Sequence, residues 1–342
     1  MGITKGRCLM TVTLAMGPWL AVSQARAQLA LNEMAGDHYF PGTEGIQAGS
    51  LPAPGLYIDD SSRFENLRKS GETFSEHAST FINEPRVRWI SKRKLLGANY
   101  GLEVMLPWIY QEEQVVQSGI NNYGPGRNPP SYIPGYHFQL ERFELGDLEI
   151  SPLWLSWHRR HFDFCAGYAV WMPTGGNAYT FPDSSPLNPA APAVPPPQFH
   201  WWEHMVTLGA TWYPDAAKKW AVSALNHYEI NQAFDTNISS EQYGQRFTTE
   251  WGLSRMVGKF VNLGMIGNYS QQTTATRESF GLYDTISFYN CSSVEVGPEI
   301  RVTMPEYDLS ASLRYLRELS NPDGFNGSYN LNVVALTVSK RF

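Results

Sequence analysis

The amino-acid sequence predicts an all-β protein, a transmembrane antiparallel β-barrel of about twelve strands, and ten to fourteen strands are compatible with the pattern. Three observations lead to this prediction. Segments of about ten residues alternate between apolar and polar side chains, aromatic residues stand near both ends of the apolar faces, and short and long connections alternate along the chain. A water-soluble sandwich also alternates, so the aromatic residues and the connection lengths decide the prediction.

The composition is polar on average and rich in aromatic residues. The 342 residues are 42% hydrophobic and 13% aromatic, which excludes a disordered chain. The mean hydropathy of -0.33 and the lack of runs of about 20 apolar residues exclude a helical membrane protein. A formal net charge of -6 without a basic tract argues against a nucleic-acid partner.

Residues 1–27 are predicted to be a secretory signal peptide. Lys5 and Arg7 precede an apolar stretch that ends in a small-residue cleavage site. Ala27 is then the last residue removed, and Gln28 is the first residue of the mature chain.

The mature chain is predicted to have two parts. Residues 28–54 are rich in Gly and Pro, and two interpretations stay open: a plug that enters the barrel lumen, or a periplasmic tail. Residues 55–342 form the barrel. The predicted strands span residues 55–67, 84–94, 97–112, 145–158, 161–174, 201–214, 217–231, 243–256, 258–271, 294–305, 307–319 and 328–342.

Short and long connections alternate between these strands. An even number of antiparallel strands with short turns at one end and long loops at the other is typical of an outer-membrane barrel, with the turns in the periplasm and the loops outside the cell. The short links lie at Leu95–Leu96, Arg159–Arg160, Asp215–Ala216, Val257 and Glu306. The long ones include residues 113–146, 175–200 and 272–293.

Each alternating segment has an apolar face that we expect to contact lipid. Rings near the ends of these faces are predicted to lie at the two membrane interfaces: Tyr100, Trp108, Tyr307 and Tyr315. The opposite face is predicted to line the lumen with the charged side chains Glu103, Glu149, Glu299, Arg301, Asp308, Arg314 and Glu318. These charges either form a transverse field that filters small solutes or pair with one another and fill the lumen.

The last strand carries a separate mark at its end. Phe342 follows the apolar positions Leu336 and Val338 on one face, and this pattern resembles the terminal strand that the barrel-assembly machinery of bacteria recognises. Lys340 departs from the pattern, but a lysine at a membrane interface can extend to water.

Cysteine and histidine predict no metal or catalytic site. Cys165 follows a short turn and Cys291 lies in a long connection, so a hydrocarbon layer of about 25 Å separates them and two free thiols are expected. His158 and His161 flank a predicted solvated turn. The sequence contains no zinc-type spacing, nucleophile elbow or P-loop, and no cofactor is predicted.

Several blocks of sequence resemble the MetA-type phenol meta-pathway degradation proteins. Their order and spacing cover most of the mature chain, although residues 175–200 are unusually rich in proline for this family. The resemblance implies an outer-membrane β-barrel of Gram-negative bacteria that is described as a transporter and linked by name to aromatic compounds. The blocks are Leu51–Tyr57, Gly146–Trp154, Pro173–Gly175, Ala210–Pro214, Tyr228–Asn231 and Val296–Glu299.

The expected function is that of a channel in the bacterial outer membrane that passively admits small solutes, aromatic ones among them. The alternatives are a structural or adhesive barrel without solute flux, and an outer-membrane hydrolase. The expected partners are outer-membrane lipid, the barrel-assembly machinery and a small-molecule solute. Aromatic side chains of the long connections form a second candidate site: Tyr123, Tyr132, Tyr136 and Phe138.

Overall fold

The computed structural model describes residues 38–72, 74–118, 120–122, 131–133, 136–175, 201–235, 239–280, 283–287, 292–320 and 328–342. Nearly all of this is β-strand, with one turn of 3-10 helix at Pro305–Tyr307. The strands are β1 (Gly55–Ser70), β2 (Phe74–Leu95), β3 (Ala98–Met105), β4 (Trp108–Gln117), β5 (Ile120–Asn122), β6 (Ser131–Ile133), β7 (Tyr136–Leu145), β8 (Leu148–His158), β9 (Phe162–Met172), β10 (Glu203–Trp212), β11 (Trp220–Asn231), β12 (Phe234–Asp235), β13 (Ser239–Gln242), β14 (Arg246–Val257), β15 (Val261–Gln272), β16 (Thr276–Phe280), β17 (Tyr283–Ser287), β18 (Ser292–Met304), β19 (Leu309–Glu318) and β20 (Ser328–Arg341).

Twelve antiparallel strands close into a barrel. The order around the ring is β1-β20-β19-β18-β15-β14-β11-β10-β9-β8-β3-β2, and β1 pairs with both β20 and β2. Closure gives the backbone of every ring strand a partner on both sides, which a sheet surrounded by lipid requires. The predicted fold class and strand number are confirmed.

Two of the twelve strands are interrupted and continue beyond the ring, at the end opposite the turn between β2 and β3. β4 continues β3 after Leu106 and Pro107, and β7 continues β8 across Gly146 and Asp147. Pro107 cannot donate to a sheet ladder, and its carbonyl accepts the Gly146 N–H at 2.8 Å, so both interruptions fall at one level. β2 is long enough to pair with β3 below and β4 above.

The expectation of a long connection between the first two strands is wrong. β2 begins at Phe74 and not at residue 84, so only residues 71–73 join it to β1. The added part of β2 presents Ser75, His77 and Ser79 outward. A strand that extends beyond the membrane has no apolar outer face, and the alternation that would predict it is therefore missing.

The two ends of the barrel differ. Residues 96–97, 159–161, 213–219, 258–260 and 305–308 connect the strands at one end, here named the short-turn end. Gly97 and Gly258 have φ values of 77° and 71° in two of these turns, a conformation that favours glycine. The other end, named the long-loop end, carries the remaining connections. β8, β9, β10, β11, β14 and β15 have 10 to 12 residues, the length that a tilted strand needs to cross a bilayer.

Side chains alternate between an apolar outer face and a polar inner face. On β14, for example, Trp251 and Leu253 are exposed outward while Glu250 and Ser254 are buried inside. A surface of this kind suits lipid outside and a polar lumen inside. No helix in the described part of the chain is long and apolar enough to cross a membrane.

Cys165 is a free thiol on β9 and is 3% exposed. We predict that it does not react with a maleimide in the folded protein and reacts fully after unfolding in guanidinium chloride. A Cys291→Ser variant makes the labelling specific, and mass spectrometry counts the adducts. Rapid labelling of the folded barrel would contradict the burial of this strand face.

Candidate functional site: the barrel lumen

Residues 38–54, here named the lumen segment, run inside the barrel. His38 lies at the level where β9 ends and β10 begins, and Pro54 leads into β1 at the short-turn end. The segment therefore runs through the lumen before the first strand starts. Its backbone has no strand partner, so side chains of the barrel wall supply most of its hydrogen bonds.

His38 is held between two carboxylates. Its Nδ1 lies 2.7 Å from Glu203 Oε2, and its Nε2 lies 2.7 Å from Asp147 Oδ2. The ring stacks on Trp171 with 5.4 Å between ring centroids. Burial alone lowers the pKa of His38, but Glu203 and Asp147 outweigh burial and raise the pKa to about 9. The imidazole is therefore a buried cation at neutral pH.

Glu250 and Arg314 hold the next part of the segment. Glu250 Oε1 accepts hydrogen bonds from the Tyr39 hydroxyl and from the Gly42 N–H at 2.8 Å. Arg314 donates to the carbonyls of Gly42, at 2.8 Å, and Thr43. Donors and acceptors of the loop backbone are thus satisfied without a strand partner.

Glu44 forms the central ion-pair cluster with two arginines of β2. Its Oε1 lies 2.5 Å from Arg86 Nη1 and 3.8 Å from Arg88 Nη2, and both arginines also contact Glu103. Burial raises the pKa of Glu44, but the two arginines outweigh it and lower the pKa to about 2. Glu44 therefore stays ionised and fixes the segment against β2.

Two glycines let the segment approach the wall. Gly45 has a φ of 67°, and a Cβ there would lie 2.1 Å from Glu299 Oε2, which accepts the Ile46 N–H at 2.7 Å. A Cβ on Gly49 would lie 2.3 to 2.5 Å from backbone atoms of Ala210. Any side chain at Gly49 therefore pushes the segment away from β10.

The segment is fixed again at the short-turn end. Ser50 Oγ donates to Asp163 Oδ2 at 3.1 Å and lies 3.0 Å from the Tyr213 hydroxyl. The Pro54 carbonyl accepts a hydrogen bond from Arg341 at 2.9 Å. Apolar contact is limited to small clusters in which Ile46 packs on Ile266 and Leu316.

The lumen carries a large excess of acidic side chains. Among the described residues, fourteen Asp or Glu and six Lys or Arg are buried, a formal difference of six minus fourteen, or -8. Within the described part of the chain, Glu84 Oε2 and Glu203 Oε1 are buried oxygens without a hydrogen-bond partner. A lumen with these charges attracts cations and repels anions.

Six of the seven residues predicted to line the lumen point inward. Glu103, Glu149, Glu299, Arg314 and Glu318 are buried, and Arg301 is half-buried beside Glu299. Asp308 is a correction: it is exposed in the turn before β19, where a φ of 48° and a hydrogen bond from its N–H to the Pro305 carbonyl end the 3-10 turn. The alternation of β19 does not extend back to this residue.

The candidate residues chosen from the sequence omit most of the residues that join the lumen segment to the barrel wall. His38, Tyr39 and Glu44 belong to the segment whose location stayed open, and no periodic pattern marks them. Arg86 and Arg88 alternate with Val87 and Trp89 on β2, so that pattern could have identified them.

The four predicted interface rings all face outward. Trp108 packs edge-on against Phe143 at 6.2 Å, the Tyr315 hydroxyl bonds Asn332, and the Tyr100 hydroxyl bonds the Pro152 carbonyl. Tyr307 is exposed in the 3-10 turn, and Phe342 is exposed while its N–H donates to the Leu56 carbonyl. The location of these rings at a membrane interface stays a prediction.

Other candidate residues fall in turns, in strands or outside the described residues. His158 Nδ1 lies 3.3 Å from Asp163, and His161 Nδ1 lies 2.9 Å from the Tyr213 carbonyl. Among the residues that the structure describes, no group of His, Cys, Asp and Glu could hold a metal ion.

The aromatic candidates of the long connections lie partly in strands. Tyr132 belongs to β6, and Tyr136 and Phe138 belong to β7. Outside the described residues lie Ala27, Gln28, Tyr123, Cys291 and the prolines from Pro182 to Pro197.

Residues 66–333 match a protein family described as "Putative MetA-pathway of phenol degradation". The chain belongs to this family. The resemblance seen in the sequence blocks is thereby confirmed. No curated protein sequence is significantly similar to the chain.

The chain is similar to several solved structures. An outer membrane channel from Pseudomonas putida F1 is 10% identical with a TM-score of 0.56, over 86% of this chain and 97% of that one. The toluene transporter TodX from Pseudomonas putida is 10% identical with a TM-score of 0.43, over 85% and 90%. The translocator domain of the autotransporter NalP from Neisseria meningitidis is 11% identical with a TM-score of 0.43, over 94% and 96%.

We predict that the His38 imidazole titrates with a pKa of about 9 in the folded protein. Because this value lies above the pKa of about 6.5 in water, the His38 contacts stabilise the docked segment fully below pH 6.5 and are lost as pH rises through 9. NMR of histidine-labelled protein, with His38→Asn to assign the signal, measures the midpoint. A midpoint at or below 6.5 would contradict the paired geometry.

Proposed function

We propose that the protein is an outer-membrane channel for small solutes and that the lumen segment closes it. The observation that carries the proposal is the character of the barrel interior. The interior holds a length of polypeptide, and its lining consists mainly of charged and hydrogen-bonding side chains that water can solvate when the segment leaves. Twelve strands place the barrel between small side-chain-filled barrels and wide porins.

The contacts of the segment suit reversible closure. They are mostly hydrogen bonds and ion pairs of charged side chains, which contribute about 1.5 to 3 kcal/mol each net, and water supplies replacement partners when the segment leaves. Apolar packing, which would hold the segment more permanently, is confined to a few residues such as Ile46 and Leu51. Closure of the channel is therefore set by the sum of several polar contacts that water can replace.

We propose small neutral solutes, aromatic ones among them, as the cargo. The family is linked by name to phenol degradation. The lumen near the long-loop end contains the rings of Tyr39, Trp171 and Trp201. The acid excess of the lumen disfavours carboxylates, so a neutral phenol passes more readily than an aromatic acid. Uptake of phenol and of benzoate into proteoliposomes compares the two.

A structural or adhesive barrel without flux is the alternative, and an impermeable reconstituted protein would favour it. We assign the protein no catalytic activity. An esterase assay of the folded protein in detergent tests that assignment.

The barrel-assembly machinery is a proposed partner. Phe342 directly follows β20, the strand that closes the ring against β1, and its side chain is exposed. We expect removal of Phe342 to reduce the amount of folded protein in the outer membrane severalfold, whereas Tyr307→Ala leaves it unchanged. Immunoblotting of membrane fractions measures both, and equal amounts of the two variants would contradict the role of Phe342.

We predict that Gly49→Val raises the single-channel conductance severalfold, because a side chain at Gly49 collides with the backbone of Ala210 and the segment cannot settle. Planar-bilayer recording measures the effect. Ala216→Val, in an exposed turn, is the matched control and should conduct like the native protein. A folded Gly49→Val protein with native conductance would show that the segment does not close the passage.

We predict that the opened channel prefers K⁺ to Cl⁻, because acidic side chains outnumber basic ones in the lumen. Reversal potentials in a KCl gradient measure the preference in the Gly49→Val protein. Adding Glu84→Gln and Glu149→Gln should reduce it, whereas Glu306→Gln in an exposed turn should not. A preference for Cl⁻ would contradict the charge inventory of the lumen.

A further inference from the structure

The two ends of the barrel carry opposite charge. At the short-turn end, residues 91–97, 158–162, 213–220, 255–260, 305–309 and 339–342 contain eleven Lys or Arg and three Asp or Glu, a formal charge of 11 - 3 = +8. The sequences of the opposite connections, residues 71–73, 118–135, 173–202, 232–245, 273–291 and 319–327, contain two Lys or Arg and seven Asp or Glu, or 2 - 7 = -5. The protein has an acidic total, so this basic end is a local feature.

Many of the basic side chains at the short-turn end are exposed to solvent. Arg93, Lys94, Arg159, Arg160 and Lys259 are exposed, and none forms an ion pair with another residue that the structure describes. Lys218 differs, because it pairs with Asp163 at 3.1 Å. The unpaired cations are available to an anionic partner outside the barrel.

These cations stand beside a belt of outward-facing rings. Trp89, Phe162, Trp212 and Trp220 are each between 42% and 46% exposed near the same end of the barrel. The Arg255 guanidinium lies 5.0 Å from the centroid of Trp220. Tryptophan rings collect at the headgroup level of a membrane. The cations are therefore placed at the headgroups of one leaflet.

A cavity of about 280 Å³ joins two of the cations to two of the rings. It is lined by Trp89, Ser91, Arg93, Lys94, Leu95 and Tyr100. It forms where β2 bulges between Ile90 and Lys94 against β3. The rings of Trp89 and Tyr100 meet edge to face at 6.4 Å, so the cavity has an aromatic side and a cationic side.

We propose that this cavity binds an anionic phospholipid of the periplasmic leaflet, which lies at the short-turn end. Arg93 and Lys94 take the phosphate of the headgroup, and Trp89, Tyr100 and Leu95 contact the start of the acyl chains. An amphiphile fits better than free phosphate, because most of the lining surface is apolar and would gain nothing from a small ion. The site does not depend on the proposed channel activity.

The test uses the folded, delipidated full chain in a non-ionic detergent. Native mass spectrometry compares the binding of phosphatidylglycerol with that of phosphatidylcholine of the same acyl chains. We expect tighter binding of phosphatidylglycerol and a loss of that preference, by about 30-fold, in Arg93→Gln/Lys94→Gln, since each cation near a lipid surface contributes about fivefold. Arg68→Gln/Arg317→Gln removes two exposed cations from strand positions towards the long-loop end and should keep the preference.

Three results of the lipid comparison would overturn the proposal. They are equal binding of the two lipids by the native protein, an unchanged preference in Arg93→Gln/Lys94→Gln, and an equal loss in the control pair. Inorganic phosphate is added as a third arm, and full competition by millimolar phosphate would show a free-anion site instead of a lipid site. The shifted mobility of unheated barrels in gel electrophoresis confirms folding, and Lys94→Gln alone replaces the double variant if that does not fold.

Discussion

Backbone hydrogen bonding in lipid is the constraint on which the rest of the structure depends. A sheet surrounded by hydrocarbon cannot leave N–H or C=O groups unpaired, so β1 must pair with β20 as well as with β2. Closure then assigns every side chain to one of two solvents. Apolar residues such as Leu253 face lipid, and polar ones such as Glu250 are confined inside.

Confinement of charge creates the second requirement, because a buried ion without a partner is expensive. Removing one member of a buried ion pair costs about 3 to 5 kcal/mol in proteins. The lumen segment meets part of this requirement: His38 faces Asp147 and Glu203, and Glu44 faces Arg86 and Arg88. The segment and the wall thus satisfy each other. When they separate, Arg86 and Arg88 keep their contacts with Glu103, and water solvates the other groups.

The sequence predicts the strands that cross the membrane and misses what lies outside this pattern. The predicted strands 161–174 and 243–256 agree closely with β9 and β14, because each has one apolar and one polar face. The alternation does not predict the part of β2 that begins at Phe74. That part has no lipid to face and therefore no apolar outer side. Charged residues of the barrel wall such as Glu299 and Arg314 could be found from the alternation of side chains along each strand.

The contacts of the lumen segment could not be predicted in the same way. Each of its residues meets a different strand, so its sequence has no period, and only its glycines and prolines hint at an irregular path. Long-range partners such as Ile46 and Glu299 are separated by 253 positions. Local rules contain no information about such pairs.

The central claim is that the lumen segment closes the barrel and can leave it. A reversible tether tests this directly, because a Cβ on Gly252 would lie 3.3 Å from the Cα of Ile46, within reach of a disulfide. Single-channel recording of an Ile46→Cys/Gly252→Cys protein, with Cys165→Ala and Cys291→Ser, compares the oxidised and reduced states. We expect a conductance near zero in the oxidised protein and a severalfold rise on reduction. The Ile46→Cys protein alone should not show this rise. Equal conductance in both states would contradict it.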